Sequence, residues 1–422
     1  MYFYSSLSAD APKLNNTWGD FNKVINYLIE GGTPYDIIKI EPVEKGKVKI
    51  YYDDLLTNPP WTQYMTIVVS GSLYYNKSFF IENIDTINKY IIAYNSTVEF
   101  DIGLIDESNT ITARTIPCGA TRKFGGISDM RTVIKFADGI EYRIDDRDWT
   151  QLMAPPVSAG ANWTKVARIC MAESFDNLDY ASLRQFPYTQ ERPGENFAPV
   201  GNYIGQAVIA YNITNESDAY LHQNSYGKGA NAWRIYASEN FILVQMYTYG
   251  YSSGYAKHVM FGSFDRSDKT ITNGILHTNR LNGAWNYTGG WQYPYNRNCS
   301  PCLFMTIDDR STQWAVIYNN YNGNSSIDIA FNGTYSIGSS VPSGSGSSIP
   351  YPMNGQDLLY FSDVVLTNGN NIYGQMYDIK WINSNYLPSR DTLFEVDNEL
   401  YITARFYSNS ENSAVLIKLD RE

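Results

Sequence analysis

Residues 229–264 read GANAWRIYASENFILVQMYTYGYSSGYAKHVMFGSF and carry the strongest strand signal of the chain. The stretch contains three runs of branched and aromatic residues, at Ala232–Tyr236, Phe241–Tyr249 and His258–Phe264. Such side chains fit the pleated, half-buried surface of a sheet. Polar residues separate the first two runs, and a Gly/Ser/Tyr segment separates the second from the third, as turns do. We therefore predict that these runs are strands in the middle of an antiparallel sheet.

The composition is that of a folded, acidic chain. Of its 422 residues 43% are hydrophobic and 18% are charged, and the length allows two or three domains. Aromatic residues make up 15%, including 36 tyrosines, which suit sheets and wet interfaces. The net charge is −11, from 32 Lys and Arg against 43 Asp and Glu. Because binding of nucleic acid requires Lys and Arg to neutralise phosphates, we expect no nucleic-acid partner.

Sorting signals are not evident in the sequence. The N-terminal segment has neither the basic region nor the apolar core of a signal peptide. No stretch reaches the roughly 20 consecutive apolar residues that a membrane-spanning helix needs. The four cysteines are too few for a disulfide scaffold. We therefore expect a protein that is made in the cytoplasm, keeps reduced thiols and has no membrane partner.

One amphipathic helix is predicted within residues 15–32. Its apolar residues recur at i, i+3, i+4, i+7 and i+8, which places on one face Phe21, Val24, Ile25, Leu28 and Ile29. Asn16 or Thr17 can cap its start, and Gly31 with Gly32 ends it. Two interpretations stay open. The stripe packs on a sheet of its own domain, or Phe21, Val24, Ile25 and Leu28 dock the helix on a neighbouring subunit.

The segment after the helix is predicted to be a series of strands. Their expected bounds are Tyr35–Ile40, Lys47–Tyr52, Tyr64–Ser70, Phe79–Ile81, Lys89–Tyr94, Val98–Ile105, Ile111–Ile116, Thr132–Phe136 and Ile140–Ile144. The alternation in KGKVKIYYDD predicts one solvated face. Asp138-Gly139 lies between the last two strands and predicts a hairpin with a type I′ turn, which requires positive φ angles.

The regular spacing of strands and turn signals favours a mainly β fold over alternating βαβ units. We predict two antiparallel β-sandwich-like domains, a short N-terminal amphipathic helix and a small C-terminal β-hairpin region. The first domain, with the helix, covers residues 1–153, and the central sandwich covers residues 161–337. Linker-like compositions at residues 154–160 and 338–350 bound the central part. Residues 351–422 form a separate module or complete the central sandwich.

Metal-ligand and redox signals are weak. Cys299 and Cys302 form a CxxC pair, which supplies half of a four-ligand zinc site that His277 and Cys170 could complete only if the fold brought them close. A redox dithiol and two ordinary thiols are the other interpretations. A thioredoxin-like use of the pair needs a neighbouring βαβ unit, which the sequence does not predict.

Catalytic motifs are not found either. The sequence has no HExxH, no GxSxG and no phosphate-binding GxxxxGK[ST]. The acidic clusters 145–148 and 308–310 are either cation sites or solvated strand ends. Glycoside hydrolysis needs two carboxylates facing each other across a cleft, which a sequence alone does not show. We therefore expect no enzymatic activity and no cofactor.

An aromatic cluster is the best candidate for a recognition site. Residues 285–295 read WNYTGGWQYPY, and a second group of tyrosines follows residue 246. The candidate contact residues are Trp285, Trp291, Tyr293, Tyr295, Tyr249 and Tyr251. Trp and Tyr on Gly-rich loops stack on sugars or anchor protein interfaces. Three interpretations stay open: a loop that covers the end of a sandwich, a subunit interface, and a glycan site.

The sequence SSLSADAPKLNNTWGDFNKVINYLIEGG at residues 5–32 resembles a recurrent opening of virion proteins of tailed bacteriophages. There, small residues ending in Ala-Pro-x-Leu precede an amphipathic helix that ends in Gly. Trp163–Met171, Trp233–Ala237 and the turn Phe261–Phe264 resemble strands and a Phe-Gly-Asp turn of that family, with Ser263 where Asp is usual. Residues 374–401 resemble its closing segment.

This resemblance implies a structural component of the virion, in the tail, the baseplate, the neck or collar, or the capsid surface. Such a protein acts by assembly with other virion proteins and with copies of itself, as a ring or trimer. The alternative within the same resemblance is a receptor- or glycan-binding module of the tail that contacts glycans of the host surface. No catalytic residue is implied.

Overall fold

The computed structural model describes the N-terminal part of the chain almost continuously and the rest mainly as strands. The described residues are 1–14, 19–53, 55–56, 59–127, 131–145, 163–172, 205–212, 233–248, 255–265, 271–279, 300–306, 312–319, 327–331, 335–339, 349–353, 357–368, 371–383, 392–404 and 413–421.

They form one α-helix, α1 (Asp20–Glu30), and antiparallel strands. The first ten strands are β1 (Tyr2–Ser5), β2 (Tyr35–Glu44), β3 (Lys47–Tyr52), β4 (Thr66–Ser70), β5 (Ser78–Asp85), β6 (Tyr90–Tyr94), β7 (Thr112–Thr115), β8 (Thr121–Gly126), β9 (Arg131–Lys135) and β10 (Glu141–Asp145). The others are β11 (Trp163–Ala172), β12 (Gly205–Asn212), β13 (Trp233–Ala237), β14 (Phe241–Thr248), β15 (Tyr255–Asp265), β16 (Ile271–Asn279), β17 (Ser300–Thr306), β18 (Thr312–Asn319), β19 (Ile327–Phe331), β20 (Tyr335–Ser339), β21 (Ile349–Met353), β22 (Asp357–Asn368), β23 (Asn371–Asn383), β24 (Leu393–Val396), β25 (Glu399–Ala404) and β26 (Ser413–Leu419). The predicted mainly β, antiparallel class is confirmed.

Strands β2 to β7 close into a barrel in the order β2-β3-β6-β5-β4-β7. Pairing of Tyr35 with Ala113 joins the first strand to the last, so no edge stays open. Residues of β3 alternate between half-buried and buried, as the sequence pattern predicts. The barrel itself was not predicted. The predicted strand Val98–Ile105 is wrong, because this segment is an irregular loop with one isolated bridge nearby, between Ile40 and Asp106.

A five-stranded sheet follows in the order β12-β11-β10-β9-β8, and its strand β8 was not predicted. The hairpin between β9 and β10 forms at the predicted place, but its turn is not type I′. Gly139 has a φ of 92°, whereas Asp138 has no positive φ, and the Gly139 amide donates to the Phe136 carbonyl at 2.9 Å. This is a type I turn followed by a left-handed glycine. The turn with two left-handed residues lies at Asp397-Asn398, between β24 and β25.

The remaining strands belong to one large sheet in the order β1-β13-β14-β15-β16-β17-β18-β19-β20-β22-β23-β26-β25-β24, with β21 paired to β22. The stretch quoted first forms β13, β14 and β15, paired antiparallel as predicted. Pairing of Asp265 with Gln375 links β15 back to β23. The predicted sandwiches and the three-part division of the chain stay predictions.

Strands β1, β13 and β14 form a wall with a hydrophobic core on each face, which we call the shared wall. The core on one face joins the barrel, β25 and β26 to the wall residues Phe3, Tyr236, Phe241 and Leu243. The core on the other face joins α1 and the five-stranded sheet to the wall residues Tyr4, Trp233, Ile235, Ala237, Ile242 and Val244. The alternation of the two sets along each strand is the period-2 pleat of a β-strand.

The helix α1 packs inside the chain and not on a neighbouring subunit. Phe21, Val24, Ile25 and Leu28 are fully buried in the second core, so the docking interpretation is corrected on that ground. The helix begins at Asp20, after the predicted capping residues 16 and 17, which lie outside the described ranges. It ends at Gly31, as predicted, with the Gly31 amide donating to the Tyr27 carbonyl at 2.9 Å.

A second, polar face of α1 contacts the five-stranded sheet. Asn26 donates to the Asn22 carbonyl at 2.7 Å and to the Thr132 hydroxyl at 3.4 Å, and Asn22 also bonds to Thr132. Arg122 donates to the Asn26 side chain at 2.6 Å. These bonds satisfy buried amides and fix the helix on the sheet, since unsatisfied buried polar groups are costly.

We expect truncation on either face of the shared wall to weaken one common unfolding transition. Ile235→Ala and Leu243→Ala each remove a fully buried side chain from a different core and should cost about 2–5 kcal/mol of unfolding free energy. Urea unfolding followed by intrinsic fluorescence measures this. The control Ile87→Ala, at a side chain that is 88% exposed, should change it by less than about 0.5 kcal/mol. Two separate transitions, each shifted by only one variant, would contradict a shared wall.

Candidate functional site

The six aromatic residues predicted as contacts lie outside the described ranges. The structure therefore adds nothing on Trp285, Trp291, Tyr293, Tyr295, Tyr249 or Tyr251. The same holds for Cys299, for Asp146–Asp148 and for residues 308–310. The barrel and the elements that contact it lie within the described ranges, with their side chains.

The candidate zinc ligands fall on different sheets where they are described. Cys170 lies in β11 of the five-stranded sheet, whereas His277 and Cys302 lie on neighbouring strands of the large sheet, where His277 pairs with Leu303. Among the described residues, no group of three or more His, Cys, Asp or Glu side chains is placed to hold a metal ion. Cys118 is buried, and burial raises the pKa of its thiol to about 11, which makes it a poor nucleophile.

Two loops meet at one end of the barrel, and we call them together the barrel rim. The first, residues 71–77, joins β4 to β5, and the second, residues 95–111, joins β6 to β7. The Thr110 hydroxyl donates to the Gly71 carbonyl at 3.0 Å, and the Tyr75 hydroxyl donates to the Leu104 carbonyl at 2.7 Å. Because the two loops hold each other, the rim has a defined surface.

Asp106 is the main tie between these loops. Its side chain is buried and accepts hydrogen bonds from the Ser72 hydroxyl at 2.6 Å, the Leu73 amide at 2.5 Å and the Ser108 amide at 3.0 Å. Burial alone would raise the pKa of Asp106, but these donors together with the Tyr74 amide outweigh it and lower the pKa below its ordinary value. Asp106 is therefore held as a carboxylate at neutral pH.

The barrel rim exposes large apolar side chains. Ile102 is 70% exposed and Leu73 is 75% exposed, and Tyr74, Phe100 and Ile105 are also exposed. Single exposed apolar residues are ordinary, but several on two loops that hydrogen bonds hold together are typical of a protein-binding surface. Ordering of the loops before contact lowers the entropy lost on binding. Chemically, the rim is suited to adhesion.

Among the described residues, the opposite end of the barrel exposes fewer large apolar side chains. Leu55 and Ile87 are both 88% exposed there. The turn that carries Ile87 is held by Asp85, whose side chain accepts from the amides of Ile87 and Asn88 at 3.0 and 2.9 Å. Because this end exposes two such side chains and the rim exposes five, we use this end as the control surface for substitutions at the rim.

A second titratable cluster lies where the N-terminal segment crosses the end of α1. Asp10 accepts from the Tyr27 hydroxyl at 3.2 Å and from the Thr115 hydroxyl at 3.1 Å, and Tyr27 donates to Thr115 at 3.0 Å. Burial raises the pKa of Asp10 to about 6, although both hydroxyls and the charge of Lys13 oppose this. Perturbed carboxyls often mark functional sites. Here the partners are side chains of the fold itself, so the cluster fastens the N-terminal segment to α1 and the barrel.

The sequence prediction missed the barrel rim because it treated its main loop as a strand. The apolar residues of VEFDIGLID suggested burial. The turn-forming residues were the available signal: the Asp101 side chain accepts from the Gly103 amide at 2.8 Å, and the Asn95 side chain accepts from the Thr97 amide at 2.9 Å. Such local bonds compete with strand pairing.

Comparisons of this chain with protein-family models, with characterised proteins and with solved structures find no match. Within the described part of the chain, no helix has the length and apolar character needed to cross a bilayer. The functional interpretation therefore rests on the sequence and on the geometry above.

We expect Asp106→Ala to loosen the barrel rim. It leaves the Ser72 hydroxyl and two amides without their acceptor, which should cost about 1–3 kcal/mol of unfolding free energy and speed cleavage of the rim loops in limited proteolysis. Asp106→Asn keeps one acceptor oxygen and should lose less. Because the pKa is lowered in the folded state, the stability that the carboxylate contributes is present above about pH 4 and is lost as pH falls. Unchanged proteolysis of the Ala variant would show that Asp106 does not tie the loops.

Asp10 should make the stability of the protein fall as pH rises. Its raised pKa means that the folded chain holds a proton which the unfolded chain releases between about pH 4 and pH 6, so folding is favoured below this window. The loss across the window should be about 3 kcal/mol at most. Urea unfolding at several pH values measures it. Asp10→Asn should remove this slope, whereas Asp36→Asn, at an exposed residue, should keep it. A slope that persists in Asp10→Asn would exclude Asp10 as its source.

Proposed function

We propose that this chain is a structural component of the virion of a tailed bacteriophage, in the tail, the baseplate, the neck or collar, or the capsid surface, and that it acts by protein–protein assembly. The observation that carries the proposal is the combination of the shared wall with the barrel rim. The shared wall makes the subunit stiff, and the barrel rim gives it an ordered surface for contact with other proteins. The resemblance of residues 5–32 to the N-terminal segments of virion proteins supports the assignment to this class of protein.

A particle subunit has to keep its shape while its neighbours bind. The shared wall supports this requirement, because the barrel cannot move against α1 without disrupting a strand that serves both cores. Close packing makes such interiors stiff. The C-terminal strands add a further link, since Arg421 pairs with Glu82 of the barrel at 3.0 Å and stacks over the Tyr94 ring at 4.6 Å.

The partners in this proposal are other virion proteins and further copies of the chain. Phage organelles are built with rotational symmetry, so a ring or a trimer is the expected homo-oligomer. The protein would be made in the cytoplasm of the host and end in the virion. The proposal includes no enzymatic step.

The alternative, a receptor- or glycan-binding module of the tail, stays a prediction. It depends on the aromatic cluster Trp285 to Tyr295, which lies outside the described ranges. The two functions differ in where they put the protein. A receptor module belongs at the host-facing tip of the tail, whereas an assembly component belongs wherever it bridges neighbours.

We expect peptides of this chain in purified particles of a phage that encodes it. Particles banded in a density gradient and analysed by quantitative mass spectrometry should contain it at a constant ratio to the major capsid protein. A non-virion phage protein from the same lysate serves as the control and should be lost on purification.

Abundance in the infected lysate together with absence from the banded particles would remove the proposal. Immunogold labelling of intact particles then tests the receptor alternative. Labelling of the neck, the collar or the capsid surface would exclude it, whereas a baseplate component and a receptor module would both label the host-facing tip.

A further inference from the structure

The barrel rim is acidic as well as apolar. Residues 99–107 of its second loop read EFDIGLIDE and contain four carboxylates and neither Lys nor Arg, and Lys77 of the first loop is the one basic residue within residues 71–77 and 95–111. Asp106 is buried as the tie between the loops, but Glu99, Asp101 and Glu107 are exposed. They alternate with or flank the exposed apolar side chains of Phe100, Ile102 and Ile105. The surface thus presents apolar side chains within a frame of negative charge.

We propose that the barrel rim docks a protein surface on which Lys and Arg side chains border an apolar cleft. This inference rests on the proposed assembly function and names the chemistry of the partner. Apolar side chains in the cleft would supply most of the affinity, since a few central apolar or aromatic residues dominate protein interfaces. The surrounding charges would set orientation and exclude acidic competitors.

The charge of the rim argues against the obvious competitor, a second copy of the same surface. Two rims placed face to face would bring Glu99, Asp101 and Glu107 of one copy near those of the other, and like charges across an interface are unfavourable. The whole chain carries a net charge of −11, which adds to this repulsion. A basic partner is attracted by the same negative charges.

The geometry of the loop keeps these groups available. Asp101 accepts a local bond from the Gly103 amide, and Lys77, the last residue of the first rim loop, donates to the Thr97 hydroxyl at 3.0 Å, at the beginning of the second loop. The exposed carboxylates therefore face outward on a segment whose conformation is fixed by its own turns and by Asp106.

Binding of two model peptides tests the inference on the full chain. The probes are a fluorescent amphipathic Leu/Lys helix and a Leu/Glu helix of the same pattern, with binding followed by anisotropy at low and at high salt. We expect binding of the Leu/Lys peptide only. Phe100→Ser with Ile102→Ser should weaken it about tenfold or more. Glu99→Gln with Asp101→Asn should weaken it about three- to fivefold at low salt, and less at high salt.

Matched controls separate the rim from general effects. Asp36→Asn with Glu239→Gln removes the same charge at exposed residues elsewhere, and Leu55→Ser with Ile87→Ser removes apolar side chains at the opposite end of the barrel. Both should bind within about twofold of the parent chain, since surface changes away from the contact have small effects. Melting temperatures of all variants verify that they are folded.

Three results of the peptide experiment would overturn the inference. They are equal binding of both peptides, binding unaffected by either rim variant, and loss of binding in the controls as large as in the rim variants. Self-association in sedimentation that Phe100→Ser with Ile102→Ser abolishes would also overturn it, by assigning the rim to a second copy. The two proposals fail separately. Absence of the chain from virions would contradict the proposed function but not peptide binding at the rim, and failure to bind the peptide would contradict the rim inference but not a place in the virion.

Discussion

The two hydrophobic cores depend on strands that bury apolar side chains on both faces, together with the buried Arg234 of β13, whose guanidinium lies 5.7 Å from the centroid of the Phe3 ring. In most antiparallel sheets one face is solvated and the strands alternate between apolar and polar residues. In β13 and β14 the alternation is between two cores: Tyr236 and Leu243 face the barrel, while Ile235 and Val244 face α1 and the five-stranded sheet. A one-residue slip in this pairing would exchange the two sets of side chains. The strand register of the shared wall therefore fixes how the barrel and the helix are arranged around it.

Polar contacts fix the segments that the hydrophobic cores do not hold in place. Asp106 joins two loops at the barrel end, Asp10 fastens the N-terminal segment, and Asn22 and Asn26 fix α1 on its sheet. Each of these side chains is buried or half-buried, so each has to keep its partners to avoid the cost of desolvation. Their contribution is specificity more than net stability, because folding exchanges bonds to water for bonds within the protein.

The sequence was most informative where the pattern is local and strong. The strands β13 to β15, the helix and the hairpin at Asp138 follow from the periodicity of apolar side chains and from turn-forming residues. The closure of the barrel does not follow from local sequence patterns, because it depends on pairing of β2 with β7, which are far apart in the chain. The helix stripe was ambiguous, because an apolar face shows that a partner exists without showing whether it belongs to the same chain. The rim was missed, because exposed apolar residues in a loop look like a strand until the bonds of Asp101 and Asn95 are known.

The position of the barrel rim follows from the way the barrel is packed. Its core continues into the large sheet through Phe3, Leu243, Ile402 and Ile417, so one side of the barrel is covered by the chain itself. A closed barrel has no edge strand to offer, which excludes strand addition as a mode of contact there. The ends of the barrel are then the surfaces that loops can use for adhesion. Among the described residues of the two ends, the rim combines several exposed apolar side chains with ties that hold its loops in place, and this is why we assign the contact to it.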